Sequence, residues 1–325
     1  MKILVTGAFG YLGSSLVLYL LKKNYKVVAL DKMNFGLPSV FYKNKKNLEI
    51  IRGDIGDIDL ISKLLKKVDK FIHLAGIVGE EAWKKNIQQS KKTNYLDIKK
   101  IVKTLNNQNL SHLIYVSTCS NYGLNSKNKF LNEDSILKPL SIYAKQKVSI
   151  EKYIIKNYKK DYTILRLGTL CGLSPRMRFD LLINEICRNT ALNHEIDLYS
   201  PSSWRPYLTM DDAVISLEKI LKANKRLIKN KIFNIVGENL KKSDLIKRVS
   251  KVLKKKIKFN EKKISSDIRD YKVSGRKFLK TFGKMKYGRI NPAIIEVYNS
   301  VKNGYYYNPY SKKHTAVSEK WKKLQ

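Results

Sequence analysis

The chain has 325 residues, enough for one large domain or two modest ones, and 43% of them are hydrophobic, enough for a substantial core. Its formal net charge is +38, from 65 Lys and Arg against 27 Asp and Glu. No run approaches the ~18–20 consecutive apolar residues of a bilayer span, and MKILVTGAFG does not read as a signal peptide. Cys119, Cys171 and Cys187 are too scattered for a disulfide framework, and the four histidines show no ligand spacing. These features predict a cytoplasmic protein with no membrane span and no metal site.

Lysines are spread along the whole chain, and Arg is scarce beside them. No zinc finger or aromatic-basic repeat appears. We therefore expect no specific nucleic-acid partner, only the salt-sensitive, non-specific affinity of any basic surface. The same charge would draw in anionic substrates.

Residues 2–6 (KILVT) are a β-branched run that ends at glycines, and 12–23 carry apolar residues at helical spacing. Further strands are expected at 26–31, 47–52, 70–75, 112–118 and 161–167, with helical segments between them. Short apolar strands alternating with helices predict an α/β fold built on a doubly wound parallel sheet. Beyond about Gly168 the pattern loosens. Helices are expected at 179–190, 211–223, 241–254 and 292–302, and a strand at 231–236 is expected to rejoin the sheet. The division expected is a nucleotide-binding domain at 1–168 with contributions from about 196–236, a smaller interleaved lobe at 169–310, and a tail at 311–325. The terminal segment from Gly304 has no convincing period and is expected to be partly disordered.

VTGAFGYLG places Gly7, Gly10 and Gly13 between the first strand and the first helix. Glycines let the turn be tight and let the backbone approach a pyrophosphate, which the free N–H groups of the helix N-terminus then bind. Asp31 ends the second strand 18 residues after Gly13, where a ribose-binding acid belongs. Its carboxylate would repel a 2′-phosphate, so NAD is favoured over NADP, with Lys32 beside it as the opposing charge.

The G-x-x-G-x-x-G spacing resembles the extended branch of the short-chain dehydrogenase/reductase family, whose members carry a Rossmann domain and act on nucleotide sugars. That resemblance singles out one Y-x-x-x-K pair among five. Tyr19/Lys23, Tyr42/Lys46, Tyr95/Lys99 and Tyr298/Lys302 have the same spacing as Tyr143/Lys147. Only Tyr143 stands 25 residues after a strand-ending hydroxyl, Thr118 in VSTCSNYG. The resemblance implies that Thr118, Tyr143 and Lys147 are catalytic. It implies cofactor contacts from the glycine loop (with Phe9, Tyr11 and Leu12), from Asp31 and Lys32, from Asp54 and Ile55 of GDI, and from Leu74, Ala75 and Gly76 of HLAG. Asn94, Val116, Tyr143 and Lys147 complete that set. WRPYLTMDDA and DIRDYKVS resemble family segments in which Arg205 and Arg269 meet the nucleotide.

Within this resemblance Tyr143 is the base. A free tyrosine is a poor base at neutral pH, with a pKa of about 10. A nearby ammonium and a cationic nicotinamide would both favour its phenolate. Lys147 lies one helical turn away on the same face and would also hold the cofactor ribose. Thr118 offers its hydroxyl to the substrate oxygen.

The residues beside Thr118 bear on the reaction. The 4,6-dehydratases of the family follow their threonine with Asp-Glu, whereas Cys119-Ser120 stands here, so dehydration is not expected. What remains is epimerisation through a 4-keto sugar, or simple dehydrogenation. The segment LRLGTLCGLSPRMRFDLLIN resembles a subgroup tied to surface-polysaccharide sugars, including dehydrogenases acting on C4 of a GDP-heptose. Thr169 and Cys171 depart there from the family's Asn and Tyr. Thr169 and Asn184 are expected at the substrate, with Arg176 and Arg178 as phosphate forks. Glu80 and Glu81 either line the sugar pocket or face solvent. The leading expectation is an NAD-dependent nucleotide-sugar epimerase or C4 oxidoreductase. The alternative from another class is a basic, nucleotide-sensing Rossmann protein without turnover, which would have no need of Tyr143. Family resemblance also allows a homodimer through the Tyr143 helix and its neighbour.

Overall fold

The computed structural model describes residues 1–43, 45–125, 129–262 and 268–316, apart from the side chains of Glu80 and Glu81. In the first half, β1 (Lys2–Thr6), α1 (Tyr11–Lys22), β2 (Lys26–Asp31), β3 (Leu48–Arg52), α2 (Ile58–Leu65) and β4 (Lys70–His73) alternate as the apolar runs predict. They are followed by α3 (Glu80–Lys85), α4 (Ile87–Lys91), α5 (Asp97–Asn106), β5 (His112–Thr118), β6 (Phe130–Leu131), α6 (Ile142–Asn157) and β7 (Tyr162–Leu167).

The second half adds β8 (Thr169–Cys171), α7 (Leu182–Ala191), β9 (Ile196–Tyr199), β10 (Trp204–Thr209), α8 (Met210–Lys222), α9 (Lys225–Ile228) and β11 (Lys231–Ile235). It ends with β12 (Glu238–Lys241), α10 (Lys242–Leu253), β13 (Phe259–Lys262), β14 (Lys272–Val273), α11 (Arg276–Phe282) and α12 (Asn291–Lys302). The helix expected from 179 begins only at Leu182, because the preceding residues bend away to join the cavity described below.

Seven strands form one sheet in the order β3-β2-β1-β4-β5-β7-β11, and every pair in it is parallel. β11 joins at the edge beside β7, as its apolar run implies. Ile3, Leu4 and Val5 of β1 are all fully buried, which a strand tolerates only when both sheet faces are covered. Two apolar clusters do this. Leu16, Leu20 and Leu217, from α1 and α8, belong to the larger. Ile61, Ile101 and Ile154, from α2, α5 and α6, belong to the other. The strand order reverses between β1 and β4, and in such sheets the ligand crevice opens beyond the carboxyl ends of the strands at that point.

A smaller sheet of β8, β10 and β12 lies beside the main one, with β9 paired to β13 and β6 to β14. Residues 304–316 make defined contacts. They show no period because their partners are remote in sequence. Phe179 packs edge-on against Tyr306 and His314, and Tyr310 stacks on His194. Residues 317–325 lie outside the described residues. Among the described residues no helix is long and apolar enough to cross a membrane, and no group of His, Cys, Asp and Glu is placed to hold a metal.

Candidate active site

One cavity of about 890 Å³ opens at the switch point. Such a volume lies toward the upper end of the range of ligand pockets. Its floor is the glycine turn. Gly7 has φ of 68°, and a Cβ there would come within 2.7 Å of the Ala75 nitrogen. A Cβ on Gly13 would come within 2.0 Å of the Gly7 carbonyl oxygen. Side chains are therefore excluded at both positions, and the N-terminus of α1 is left open to an anion.

Asp31 closes one end. Its carboxylate accepts from the N–H of Phe9 at 3.0 Å and of Met33 at 2.6 Å. Burial pushes its carboxyl up, against the pull of those two N–H groups and then of Arg176. Lys32 is drawn to Asp54 at 2.8 Å. Although burial pushes the Asp54 carboxyl up, the Gly56 N–H and then Lys32 hold it below its ordinary value. Asp54, Ile55, Leu74, Ala75, Gly76 and Val116 also line the cavity.

Tyr143, Lys147 and Thr118 line the same cavity. Ser141 caps α6 by accepting from the Ala144 N–H at 3.2 Å, which sets Tyr143 in the first turn and Lys147 one turn on. Burial pushes the Tyr143 phenol up to about 12, against the pull of Arg178 and then Arg269. Burial brings the Lys147 ammonium down to about 8, against Glu151. Lys147 donates to the Val116 carbonyl at 2.9 Å and lies over the Tyr115 ring. Thr118 Oγ1 accepts from the Ser120 N–H at 3.1 Å, fixing the hydroxyl at the mouth of β5.

The depressed Lys147 value carries a pH signature. The folded chain releases that proton at about 8 and the unfolded chain at about 10.5, so between them the unfolded chain binds more protons. Lys147 therefore weakens the fold below that window, and stability from this group rises with pH across it. Relative to Lys147→Met, the wild type should gain up to about 3 kcal/mol between pH ~7.5 and pH ~10.5, read from urea midpoints. A constant difference would contradict the burial of this amine.

Arg176 and Arg178 point to different neighbours. Arg176 sits 3.7 Å from the centre of the Phe35 ring and its charge acts on Asp31. Arg178 is held by Asp180 at 2.9 and 2.5 Å, and it is the first of the charges that pull on Tyr143. Arg269 and Thr169 also line the cavity, and Arg269 donates to Ser120 Oγ at 3.1 Å.

Three expected contacts are turned inward instead. Asn94 is buried in a π-turn (92–96) and exchanges two 2.8 Å hydrogen bonds with the Ile77 backbone, shaping the 76–79 loop from behind. Asn184 is fully buried and binds the Gly172 N–H, the Arg178 carbonyl and the Tyr11 hydroxyl. Arg205 is buried and donates to the carbonyls of Trp204 and Arg269. The side chains of Glu80 and Glu81 lie outside the described residues.

The sequence reading missed the brace beneath the triad. Glu151 binds Arg166 at 2.7 Å and accepts from Ser117 and Asn121, with both charged side chains almost fully buried. Its signal was a carboxylate one turn beyond Lys147 on the same helix face. Phe35, Lys312, Thr315 and Ala316, which line the cavity as well, carried no local signal.

Residues 3–236 match the model of the NAD dependent epimerase/dehydratase family. A dTDP-D-glucose 4,6-dehydratase of Dictyostelium discoideum is 30% identical over 68% of this chain, and the match spans 55% of that longer protein. An uncharacterized UDP-glucose epimerase of Bacillus subtilis is 30% identical over 68% of this chain and 72% of its own length. Among solved structures, the UDP-glucuronic acid 4-epimerase of Bacillus cereus, determined with UDP-glucuronic acid and NAD, superposes with a TM-score of 0.81 at 27% identity over 93% of this chain and 99% of its own.

Proposed function

Because the chain belongs to the NAD dependent epimerase/dehydratase family, we propose that it oxidises C4 of a nucleotide-diphosphate sugar, either for epimerisation or for net dehydrogenation. NAD is the cofactor of this family, and the glycine cradle of Gly7 and Gly13 fits its pyrophosphate. When bound, NAD accepts the hydride from the sugar carbon. The observation that supports the reading is that Tyr143, Lys147 and Thr118 line the same cavity as that cradle.

In this reading Tyr143 takes the C4 hydroxyl proton. Its phenol stands near 12 in the protein alone, so a further nearby positive charge must bring it down before it works at neutral pH. Lys147, fixed on the Val116 carbonyl, holds the cofactor ribose. The Thr118 oxygen accepts from the Ser120 N–H, which leaves its own proton to donate to the sugar oxygen. Arg269 and Arg178 meet the substrate's negative charge. A role in making surface-polysaccharide sugars is part of the same proposal.

Water elimination is not part of this reading. The Cys119 thiol is pushed far up by burial and donates to the Arg166 carbonyl, and Ser120 is held by Arg269. Neither is a carboxyl acid or base. One similar protein is named a dehydratase, so the products must be weighed. The test mixes the NAD-loaded protein with UDP-glucuronic acid and other nucleotide-diphosphate sugars, follows the reduced-nicotinamide band in a single turnover, and takes the product mass. Reduction without loss of water is expected, transient for epimerisation and lasting for net dehydrogenation; a dehydrated product would overturn the assignment.

Asp31 gives a binding test. Asp31→Asn keeps the acceptor for one backbone N–H but loses the charge, and NAD affinity should fall by roughly 10–100-fold, the scale of ~1.5–3 kcal/mol for a charged hydrogen bond. The preference for NAD over NADP should shrink with it in fluorescence titrations. Wild-type protein that binds NADP more tightly would contradict the role of Asp31.

A further inference from the structure

We propose that residues 304–316 form a strap that closes over the bound dinucleotide and slows its release. This rests on the reading of the cavity as the NAD site. The strap is fastened along one side. The Phe179 ring meets Tyr306 at 5.0 Å and His314 at 5.6 Å, both edge-on, and the Phe179 N–H donates to the His314 carbonyl at 2.8 Å. Arg176 donates to the Thr315 carbonyl, and the Ala316 N–H donates to Asp180 at 3.2 Å. Tyr310 is pinned by His194 and by the Arg188 guanidinium, 4.2 Å from its ring centre.

From this anchorage the strap reaches the opposite wall. Lys312, Thr315 and Ala316 line the same cavity as Gly10, Asp31 and Tyr143. A Cβ built on Gly79, in the loop after β4, would lie 3.9 Å from the Ala316 Cβ, so the end of the strap comes close to that loop. The strap thus has firm bonds on the 176–194 side and approaches the 76–79 loop at Gly79. A ligand lying between the glycine turn and Tyr143 would pass under it, and would leave through the gap between Ala316 and Gly79. One end would be served by the strap's partner Arg176, which faces Asp31 and Phe35. A protein that reuses one cofactor molecule gains from slow release, because loss of the reduced form in mid-cycle would strand a keto sugar.

The 3.9 Å separation supplies its own test, because disulfides bridge Cβ atoms ~3.5–4.5 Å apart. In the double variant Gly79→Cys/Ala316→Cys, exchange of bound NAD for isotopically labelled NAD is followed by mass spectrometry, oxidised and then with dithiothreitol. Both arms carry the same substitutions, so strain from the positive φ at Gly79 cancels. The native cysteines are all buried. Oxidation should slow exchange at least ~10-fold, and the reductant should restore it. As a second variant, Tyr306→Ala loosens the clasp from outside the cavity and should speed exchange by ~10-fold, with most of the change in the release rate. NAD that binds but exchanges at one rate in all these proteins overturns the strap and leaves the cofactor site standing. Wild-type protein that binds no NAD overturns both.

Discussion

Tyr143→Phe should slow reduction of bound NAD at least ~100-fold, the usual scale for losing a general base, while the fold and NAD binding persist. The substitution removes one oxygen from a side chain that lines the cavity at the C-terminal ends of the strands. No partner is left with an unmet burial demand comparable to that at the ion pair below, so stability should change little. The control lies in the other four Y-x-x-x-K pairs. Tyr19 donates to Glu218 on the packed face of α1, and Tyr95 lies beneath Lys99 on the α5 side. Neither they nor Tyr42 and Tyr298 line the cavity. Phenylalanine at any of the four should leave the single-turnover rate within about twofold, although Tyr19→Phe should cost roughly 1 kcal/mol of stability for its hydrogen bond. A Tyr143→Phe protein that turns over like wild type would reduce the triad to a coincidence in a lysine-rich chain.

Glu151→Ala should be the most damaging single change to stability, costing about 3–5 kcal/mol. It strands the Arg166 guanidinium, only 4% exposed, without its carboxylate. It also takes an acceptor from Asn121 and from Ser117, the residue before Thr118. That loss is a large share of the ~5–15 kcal/mol that holds a typical domain together. The paired change Glu151→Leu/Arg166→Met should recover most of it, because removing both charges avoids the unpaired burial. Urea midpoints for the three proteins decide this. Equal midpoints for Glu151→Ala and wild type would mean that the brace is not closed as described. Glu151 also raises the Lys147 ammonium, so its loss should bring that amine below about 8.

The parts legible in the sequence were those with a short-range period. Strands such as Lys2–Thr6 and Tyr162–Leu167 are buried on both faces and so read as apolar runs. Gly7, Gly10 and Gly13 stand out because backbone approach admits nothing larger at Gly7 and Gly13. What escaped was set by long-range partners. Nothing around Asn184 told that its amide would be spent on Gly172, Tyr11 and the Arg178 carbonyl rather than on a nucleotide. Arg176 and Arg178 read as one fork because they are two residues apart, yet the bend before α7 gives one to Phe35 and the other to Asp180. The aromatic residues of 304–316 looked aperiodic because Phe179 and His194, far back in the chain, decide their places.

In the proposed reaction Tyr143 takes the proton of a sugar C4 hydroxyl while the hydrogen on C4 leaves as hydride to NAD. The most direct measurement supplies the NAD-loaded protein with a panel of nucleotide-diphosphate sugars, UDP-glucuronic acid among them, deuterated at C4, and follows the label by mass spectrometry in wild type and Tyr143→Phe. The account predicts deuterium on the nicotinamide ring in wild type and at least ~100-fold slower labelling in the variant. Nicotinamide reduced while the deuterium stays on C4, or labelled equally fast without the phenol, would contradict it.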